Sequence, residues 1–436
     1  MFASAAIAMA HHRIVLQGTR SSRCGALSFR QMQIMMMQSP CRIGNHQPPG
    51  MSVKYHAHHV SCLTMSTYAS NKCLPVLIDL RSDTLTQPTE KIRQSLVQAQ
   101  TGDDVYHEDN EVKALETAMA QLLGHEASLF VPSGTMANLL AVMTHCQKRG
   151  SEVLLGHKSH MFRWSQGNIA QIAGVHSNAL TNMPDGTFCL NELQTRIQAD
   201  DEHCPITSLI CIENTHCDTG GTILNLPWLR ELRAMSTKYN IPVHVDGARL
   251  LNAAVGLKIP PSELVRGFES VQVCLSKGVG APFGSILAGT KRFVTQARRY
   301  RKAIGGGVRQ NGFMARAGLC ALEDWEMKLQ RDHEHAKLIA QGVESIGSGQ
   351  VRLLTESVDS NIVLLRTKCV SPEKIVSRLK RITPDEGESL EGSIAVRCAP
   401  LEKDVIRLVT SCNQSTEDIK LAVKKLQFVI MELLKM

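Results

Sequence analysis

The sequence predicts an α/β protein, a mostly parallel sheet covered by helices on both faces, followed by a smaller α+β domain. Three observations carry this expectation. From Ile78 onward, short β-branched runs alternate with helical patterns, and parallel neighbours need long return connections of that kind. The residues with chemical potential come directly after the strand-like runs, where ligands sit in such sheets. After about Trp325 the alternation gives way to a long charged helix and short strands.

Taken in order, residues 113–123 place Leu115, Met119, Leu122 and Leu123 at helical spacing and stop at Gly124. A strand over 128–131 leads through Pro132-Ser133-Gly134-Thr135 into a helix over 136–146. Further strands are predicted at 152–155, 208–212, 242–245, 271–275 and 285–288, with a helix over 226–238 among the connections. Beyond them lie a helix over 327–341, strands around 362–365 and 406–410, and a closing helix over 417–434. The expected organisation is a leader over 1–77, a large domain over 78–326 and a small domain over 327–436.

With 436 residues, 43% of them hydrophobic, the chain is long enough for a sizeable buried core. Its net charge of +8 is uneven. No acidic residue precedes Asp79, whereas seven Arg and Lys do, so the body is near neutral. A nucleic-acid partner is therefore not expected. The leader is rich in Arg, Ser, Met and His, the composition of an organelle transit peptide, and a mitochondrial address is the expectation. The alternative is synthesis from Met51 or Met65 and a cytoplasmic protein. The apolar run over 5–10 ends at His11-His12-Arg13 without the features of a secretory signal, and no run of roughly 18 apolar residues suits a membrane span. Ten of the 14 cysteines fall in the body with no Cys-x-x-Cys pair, which fits reduced thiols better than a disulfide or zinc framework. His56, His58 and His59 resemble a metal cluster but lie in the leader, and no metal is expected.

Ser133-Gly134-Thr135 stands between strand and helix, where unpaired amides favour a phosphate. The same residues also serve as an ordinary N-cap. Asp246, ending Val243-His244-Val245-Asp246, reads either as a turn aspartate or as the carboxylate that keeps a heterocycle nitrogen protonated, as in pyridoxal-phosphate (PLP) sites. Lys277 follows another buried run, Val273-Cys274-Leu275-Ser276. A buried ammonium loses hydration, and a desolvated lysine is the amine suited to a Schiff base. Glycines 278, 280 and 284 leave room for a flat group. The run Arg298-Arg299-Tyr300-Arg301-Lys302 reads as a solvated helix face or an oligomer contact. Asp332-His333-Glu334-His335 lacks zinc-protease spacing and reads as an exposed helix face. His157 reads as a solvated loop residue.

Phosphate loop, then Asp, then Lys, each at a strand end, is the layout of fold-type I PLP enzymes. Leu80-Arg81-Ser82-Asp83-Thr84, Gly102-Asp103-Asp104-Val105-Tyr106, Glu213-Asn214-Thr215-His216, Val245-Asp246-Gly247-Ala248-Arg249, Leu275-Ser276-Lys277-Gly278 and Gly305-Gly306-Gly307-Val308-Arg309-Gln310 together resemble the low-specificity L-threonine aldolases, from Ile78 to the C-terminus. The resemblance implies a fold-type I, PLP-dependent lyase that cleaves L-threonine or L-allo-threonine to glycine and acetaldehyde. It implies that Lys277 holds the cofactor covalently, Asp246 meets its ring nitrogen, and Gly134 and Thr135 bind its phosphate. His160 would stack on the ring and His216 would lie near the substrate hydroxyl. Ser82, Arg249 and Arg407 would bind the substrate carboxylate, Arg249 touching the cofactor as well, with Tyr106 as a neighbour. Arg309 would reach the phosphate of an adjacent subunit in a homo-oligomer, a dimer of dimers with shared sites. The alternatives are another PLP reaction on a small amino acid (β-elimination, racemisation or transamination) or a catalytically silent PLP-binding relative.

Overall fold

The computed structural model describes residues 76–199, 201–383, 386 and 393–435. The leader over 1–77, with His56, His58 and His59, lies outside these residues except for Val76 and Leu77. In chain order the strands are β1 (Val76–Asp79), β2 (Ala127–Val131), β3 (Ser151–Gly156), β4 (His176–Leu180), β5 (Ile206–Glu213), β6 (Val243–Asp246), β7 (Ser270–Cys274), β8 (Ser285–Gly289), β9 (Val351–Leu353), β10 (Ile362–Thr367), β11 (Ile394–Arg397), β12 (Ala399–Glu402) and β13 (Val405–Val409).

Seven of them form one sheet in the order β2-β8-β7-β6-β5-β3-β4. The five strands from β7 to β4 are parallel, and β8 alone runs against its neighbours β2 and β7. Since β8 opposes both, β2 points the same way as β7. All six of these carboxyl ends therefore lie at one edge. The central strands are buried on both faces, as parallel sheets require, while the edge strand β4 is only partly covered. Leu154, Ile210 and Ile212 enter the main core, while Val153, Leu155, Leu209 and Cys211 pack on the opposite face with Val142 and Cys146.

The crossover helices start and stop where their caps dictate. Asn225 accepts from the Trp228 amide at 2.8 Å to open Leu226–Tyr239. Gly124, at φ 67°, ends Asn110–Leu123 in the left-handed region that suits glycine.

A second, four-stranded antiparallel sheet has the order β12-β13-β10-β9. One boundary differs from the expectation. The expected boundary puts residues 76–77 in the leader and 78–80 in the large domain, whereas β1 runs parallel to β11, and Ile78 and Leu80 enter the core of the C-terminal region. Pairing between segments some 300 residues apart leaves no local mark on the sequence. The helix Trp325–Glu344 also serves two cores, Leu329 in the large one and Ala336, Ile339 and Val343 in the small one. Buried on several sides, it encloses Asp332, His333 and His335, so this stretch is not the exposed face predicted. No helix among the described residues is long and apolar enough to cross a membrane.

Candidate active site

The sheet brings the predicted residues to its carboxyl edge. Ser133, Gly134 and Thr135 follow β2, His160 follows β3, Glu213 ends β5, Asp246 ends β6 and Lys277 follows β7. Ser133 caps the helix Gly134–His145, its hydroxyl accepting from the Met136 amide at 3.2 Å. A Cβ on Gly134 would come within 2.7 Å of Cys274 Sγ and 3.2 Å of Gln272 Oε1. Only glycine lets this helix end lie so close to β7.

Asp246 is buried, and donors meet both of its oxygens: Asn138 Nδ2 at 2.8 Å on Oδ2, Gln272 Nε2 at 2.5 Å and the Ala248 amide at 3.2 Å on Oδ1. Burial acts most strongly and would raise this carboxyl, but nearby His160 and Lys277 and the Gln272 hydrogen bond hold it below the ordinary carboxylate range. Glu213, paired in register with Asp246, behaves in the opposite way. Burial, then the Asp246 charge, pushes it up to about 7. Its Oε2 accepts from the His160 amide at 2.7 Å and its Oε1 from the Cys217 amide at 2.9 Å, tying together the loops that carry His160 and His216.

His160 opens the short helix His160–Arg163, with Nδ1 3.4 Å from Ser165 Oγ. His216 is buried and neither ring nitrogen has a partner among the described residues. Burial pushes it down to about 4, leaving a neutral imidazole near pH 7. Lys277 is half-buried, and its ammonium forms no hydrogen bond or ion pair with the described residues, although both Asp83 and Asp246 feel its charge.

Ser82, Arg249 and Arg407 approach from three directions. Ser82 follows β1 and accepts from the Thr84 amide at 3.2 Å and hydroxyl at 2.8 Å. Arg407 lies on β13 opposite Leu364, and Val405, Val409 and Leu364 pack with Cys217, so this face of the small sheet abuts the His216 loop. The Arg407 Nε is buried without a partner. Arg249 is engaged on one edge within the chain. Its Nε and Nη2 form a two-point pair with Asp83 at 2.8 and 2.6 Å, both groups buried. Asn361 adds a third donor to Asp83 at 3.1 Å. Although burial would raise the Asp83 carboxyl, Arg249 holds it far below the usual range. The outer edge of Arg249, the two Nη1 hydrogens and the second Nη2 hydrogen, has no partner among the described residues.

Tyr106 and Arg309 are not drawn into this chain's own site. Tyr106 is 71% exposed, with the Arg309 guanidinium 5.5 Å from its ring centroid, and Arg309 pairs with Asp103 at 2.9 Å. Two other readings change. Arg301 of the basic run is buried, bonded to Asp104 at 2.5 Å and to the Phe130 carbonyl at 2.6 Å, while Arg298 pairs with Glu116 at 2.6 Å. His157 is half-buried, its Nδ1 accepting from the Asn182 amide at 2.9 Å.

Asn138 and Gln272 belong to none of the motifs in the sequence, His244 and Asp83 stand there only as neighbours of Asp246 and Ser82, and Asp332 only within the 332–335 stretch. A signal existed for two of them: His244 and Gln272 are polar residues inside otherwise apolar strand runs, where an unpaired polar group is costly. Among the described residues no group of three or more His, Cys, Asp or Glu is placed to hold a metal ion.

The edge presents an amine without a partner among the described residues, an acceptor-only carboxylate and a helix N-terminus that no Cβ obstructs. Residues 79–368 match the Beta-eliminating lyase family model. An uncharacterized protein of Caenorhabditis elegans is 47% identical over 63% of this chain and 66% of its own length. Low-specificity L-threonine aldolase 1 of Arabidopsis thaliana is 44% identical over 62% of this chain and 76% of its own. Among solved structures, a putative L-allo-threonine aldolase from Listeria monocytogenes superposes with a TM-score of 0.67 at 19% identity, covering 81% of this chain and 96% of that one, a likeness of fold.

Proposed function

The chain belongs to the beta-eliminating lyase family, and from that premise we propose that it is a PLP-dependent carbon–carbon lyase that cleaves L-threonine or L-allo-threonine to glycine and acetaldehyde. One observation carries the choice of reaction: a buried, neutral His216 with both ring nitrogens unpartnered stands beside the edge that holds Lys277 and Asp246. Aldol cleavage needs a group to take the proton of a β-hydroxyl, and such an imidazole has a lone pair free for it. Racemisation and transamination place no such demand at Cβ.

The residues fit the cofactor. Bound PLP supplies an aldehyde that condenses with an amine and a ring that takes up the electron pair released at Cα. Lys277 is the amine with no competing partner, and Asp246 offers an ionised oxygen that donors have already oriented. The N-terminus of Gly134–His145 suits the phosphate. Arg407 and Ser82, with the outer Nη1–Nη2 edge of Arg249, are the groups for the amino-acid carboxylate, to which a guanidinium fork is matched. His216, in the loop that Glu213 fastens to that of His160, receives the hydroxyl proton as the Cα–Cβ bond breaks and acetaldehyde leaves. A proton returned to Cα completes glycine, so the reaction needs no co-substrate.

The exposed Arg309 and Tyr106 serve an adjacent copy in a homo-oligomer, consistent with their position outside the site of their own chain. The acid-free, basic leader favours a mitochondrial location.

The test is to incubate the protein with L-threonine, L-allo-threonine, L-serine and L-alanine and to measure acetaldehyde and pyruvate. Acetaldehyde should form from both threonine diastereomers and disappear in Lys277→Ala. Pyruvate without acetaldehyde would overturn the reading in favour of β-elimination.

A further inference from the structure

Asp246 ends a buried hydrogen-bond chain that extends well behind the site. From Asp246 Oδ2 it runs to Asn138 Nδ2 at 2.8 Å, from Asn138 Oδ1 to His244 Nε2 at 2.9 Å, from His244 Nδ1 to Ser270 Oγ at 2.9 Å, and from Ser270 Oγ to His145 Nε2 at 2.8 Å. On the other oxygen, Gln272 Nε2 donates to Oδ1 while its Oε1 faces the Cys274 thiol at 3.7 Å. The layout follows from periodicity. His244 and Asp246 share one face of β6, and their register partners on β7 are Ser270 and Gln272. Asn138 and His145, seven residues apart on Gly134–His145, cover that face.

Burial pushes His244 down to about 4 and His145 to about 3, so each ring is neutral at pH 7 and carries one proton. With one proton per ring, only two polarities satisfy every link. In the first, Asn138 donates to Asp246, so its carbonyl must receive the His244 Nε2 proton. His244 Nδ1 is then bare and accepts from Ser270, which accepts from His145. Asp246 is an ionised acceptor in this arrangement. In the second, a protonated Asp246 donates to a reversed Asn138 amide, and His244 carries its proton on Nδ1. The Asn138 amide, with Nδ2 toward Asp246 and Oδ1 toward His244, fits only the first, and the Gln272 and Ala248 donors on the other oxygen suit the ionised carboxylate.

We propose that Asn138, His244, Ser270 and Gln272 are positioning residues that lock Asp246 as an acceptor-only carboxylate, so that a heterocycle nitrogen facing it keeps its proton. The identity of that heterocycle rests on the PLP reading above, whereas the lock is a property of the chain without cofactor. It predicts that the charge of Asp246 and the tautomer of His244 change together. It also means that no proton travels along the chain to Asp246, because an amide, which does not ionise, interrupts it.

The direct test is nitrogen-15 NMR of histidine-labelled, cofactor-free protein, with the His244 signals identified by their loss in His244→Gln. The expected result is a protonated Nε2 and a bare Nδ1. A proton on Nδ1 alone, or on both nitrogens at neutral pH, overturns the proposal. The second measurement is cofactor binding. His244→Phe fills the space but breaks the chain, and should weaken PLP binding by about tenfold or more, the scale of a lost hydrogen bond to a charged group. His244→Gln, whose amide still donates to Asn138, should restore most of that loss. Wild-type affinity in His244→Phe, or equal weakening in both variants, would assign these residues to packing alone. If acetaldehyde fails to form while the tautomer is as expected, the reaction assignment falls and the lock stands.

Discussion

Around Asp246 each carboxylate oxygen meets a donor and the donors are themselves held, whereas in the loops after β5 and β3 both His216 nitrogens, the Thr215 hydroxyl and the Ser159 hydroxyl are buried with no partner among the described residues. The same contrast separates the inner edge of Arg249, closed by Asp83, from Arg407, whose buried Nε has no partner among the described residues. A buried polar group left unmatched costs roughly 1–3 kcal/mol. A chain that keeps several of them in one place keeps them for something that arrives. The difference teaches a division of labour: the side facing the cofactor ring is finished in the protein alone, while the side facing the substrate is completed by what binds.

The contrast breaks most easily at Asp83. Asp83→Ala would leave the Arg249 guanidinium buried and unpaired, and loss of one partner of a buried pair costs about 3–5 kcal/mol. Urea unfolding of the cofactor-free protein should show a loss of that size. A loss under ~1 kcal/mol, the range of exposed pairs, would show that the finished side contributes little to the fold. On the unfinished side the expectation reverses. Arg407→Ala should leave stability almost unchanged but weaken amino-acid binding by about 1.5–3 kcal/mol, roughly 10- to 100-fold in apparent affinity. Titration of the holoenzyme with L-threonine or glycine would measure it. Unchanged affinity would remove Arg407 from the carboxylate site.

The same contrast explains what could be read in advance. Lys277, Asp246 and the Ser133-Gly134-Thr135 turn stand directly after strands, so local pattern alone placed them at one edge. β4, His-Ser-Asn-Ala-Leu, has no β-branched residue, and β12 contains Pro400, so neither announced itself. The closure of Arg249 was hidden because its partner lies 166 residues away, beside Ser82 in a motif that gives no sign of the pairing. The burial of Arg301 and of the 332–335 stretch was hidden for a related reason. Charge on a helix suggests solvent, and only tertiary packing reveals that Asp104 waits for Arg301 or that a second core covers the other side of the helix. Tyr106 and Arg309 illustrate a further limit, because one chain alone gives them no site to complete.

A pH-dependent expectation concerns Asp332, a buried carboxyl with neither oxygen partnered among the described residues and Oδ2 3.7 Å from where a Cβ on Gly278, next to Lys277, would stand. Burial pushes it up to about 8, with Asp83 adding to the rise and Arg331 and Lys328 opposing it. A pKa raised in the folded state means that the folded protein holds this proton more tightly than the unfolded chain. Its stabilising share is complete below the unfolded value of about 4 and is lost progressively as pH rises toward the folded value. Asp332→Asn cannot ionise and should escape that loss. Relative to wild type, its stability should improve steadily from about pH 4 upward and level off near pH 8. Urea midpoints of the two cofactor-free proteins across this range would measure the difference. A difference independent of pH would mean that Asp332 is already ionised and paired in solution, which would move it to the finished side of the site. A stabilised variant with reduced turnover would instead place it with His216 and Arg407, among the groups kept unsatisfied for the reaction.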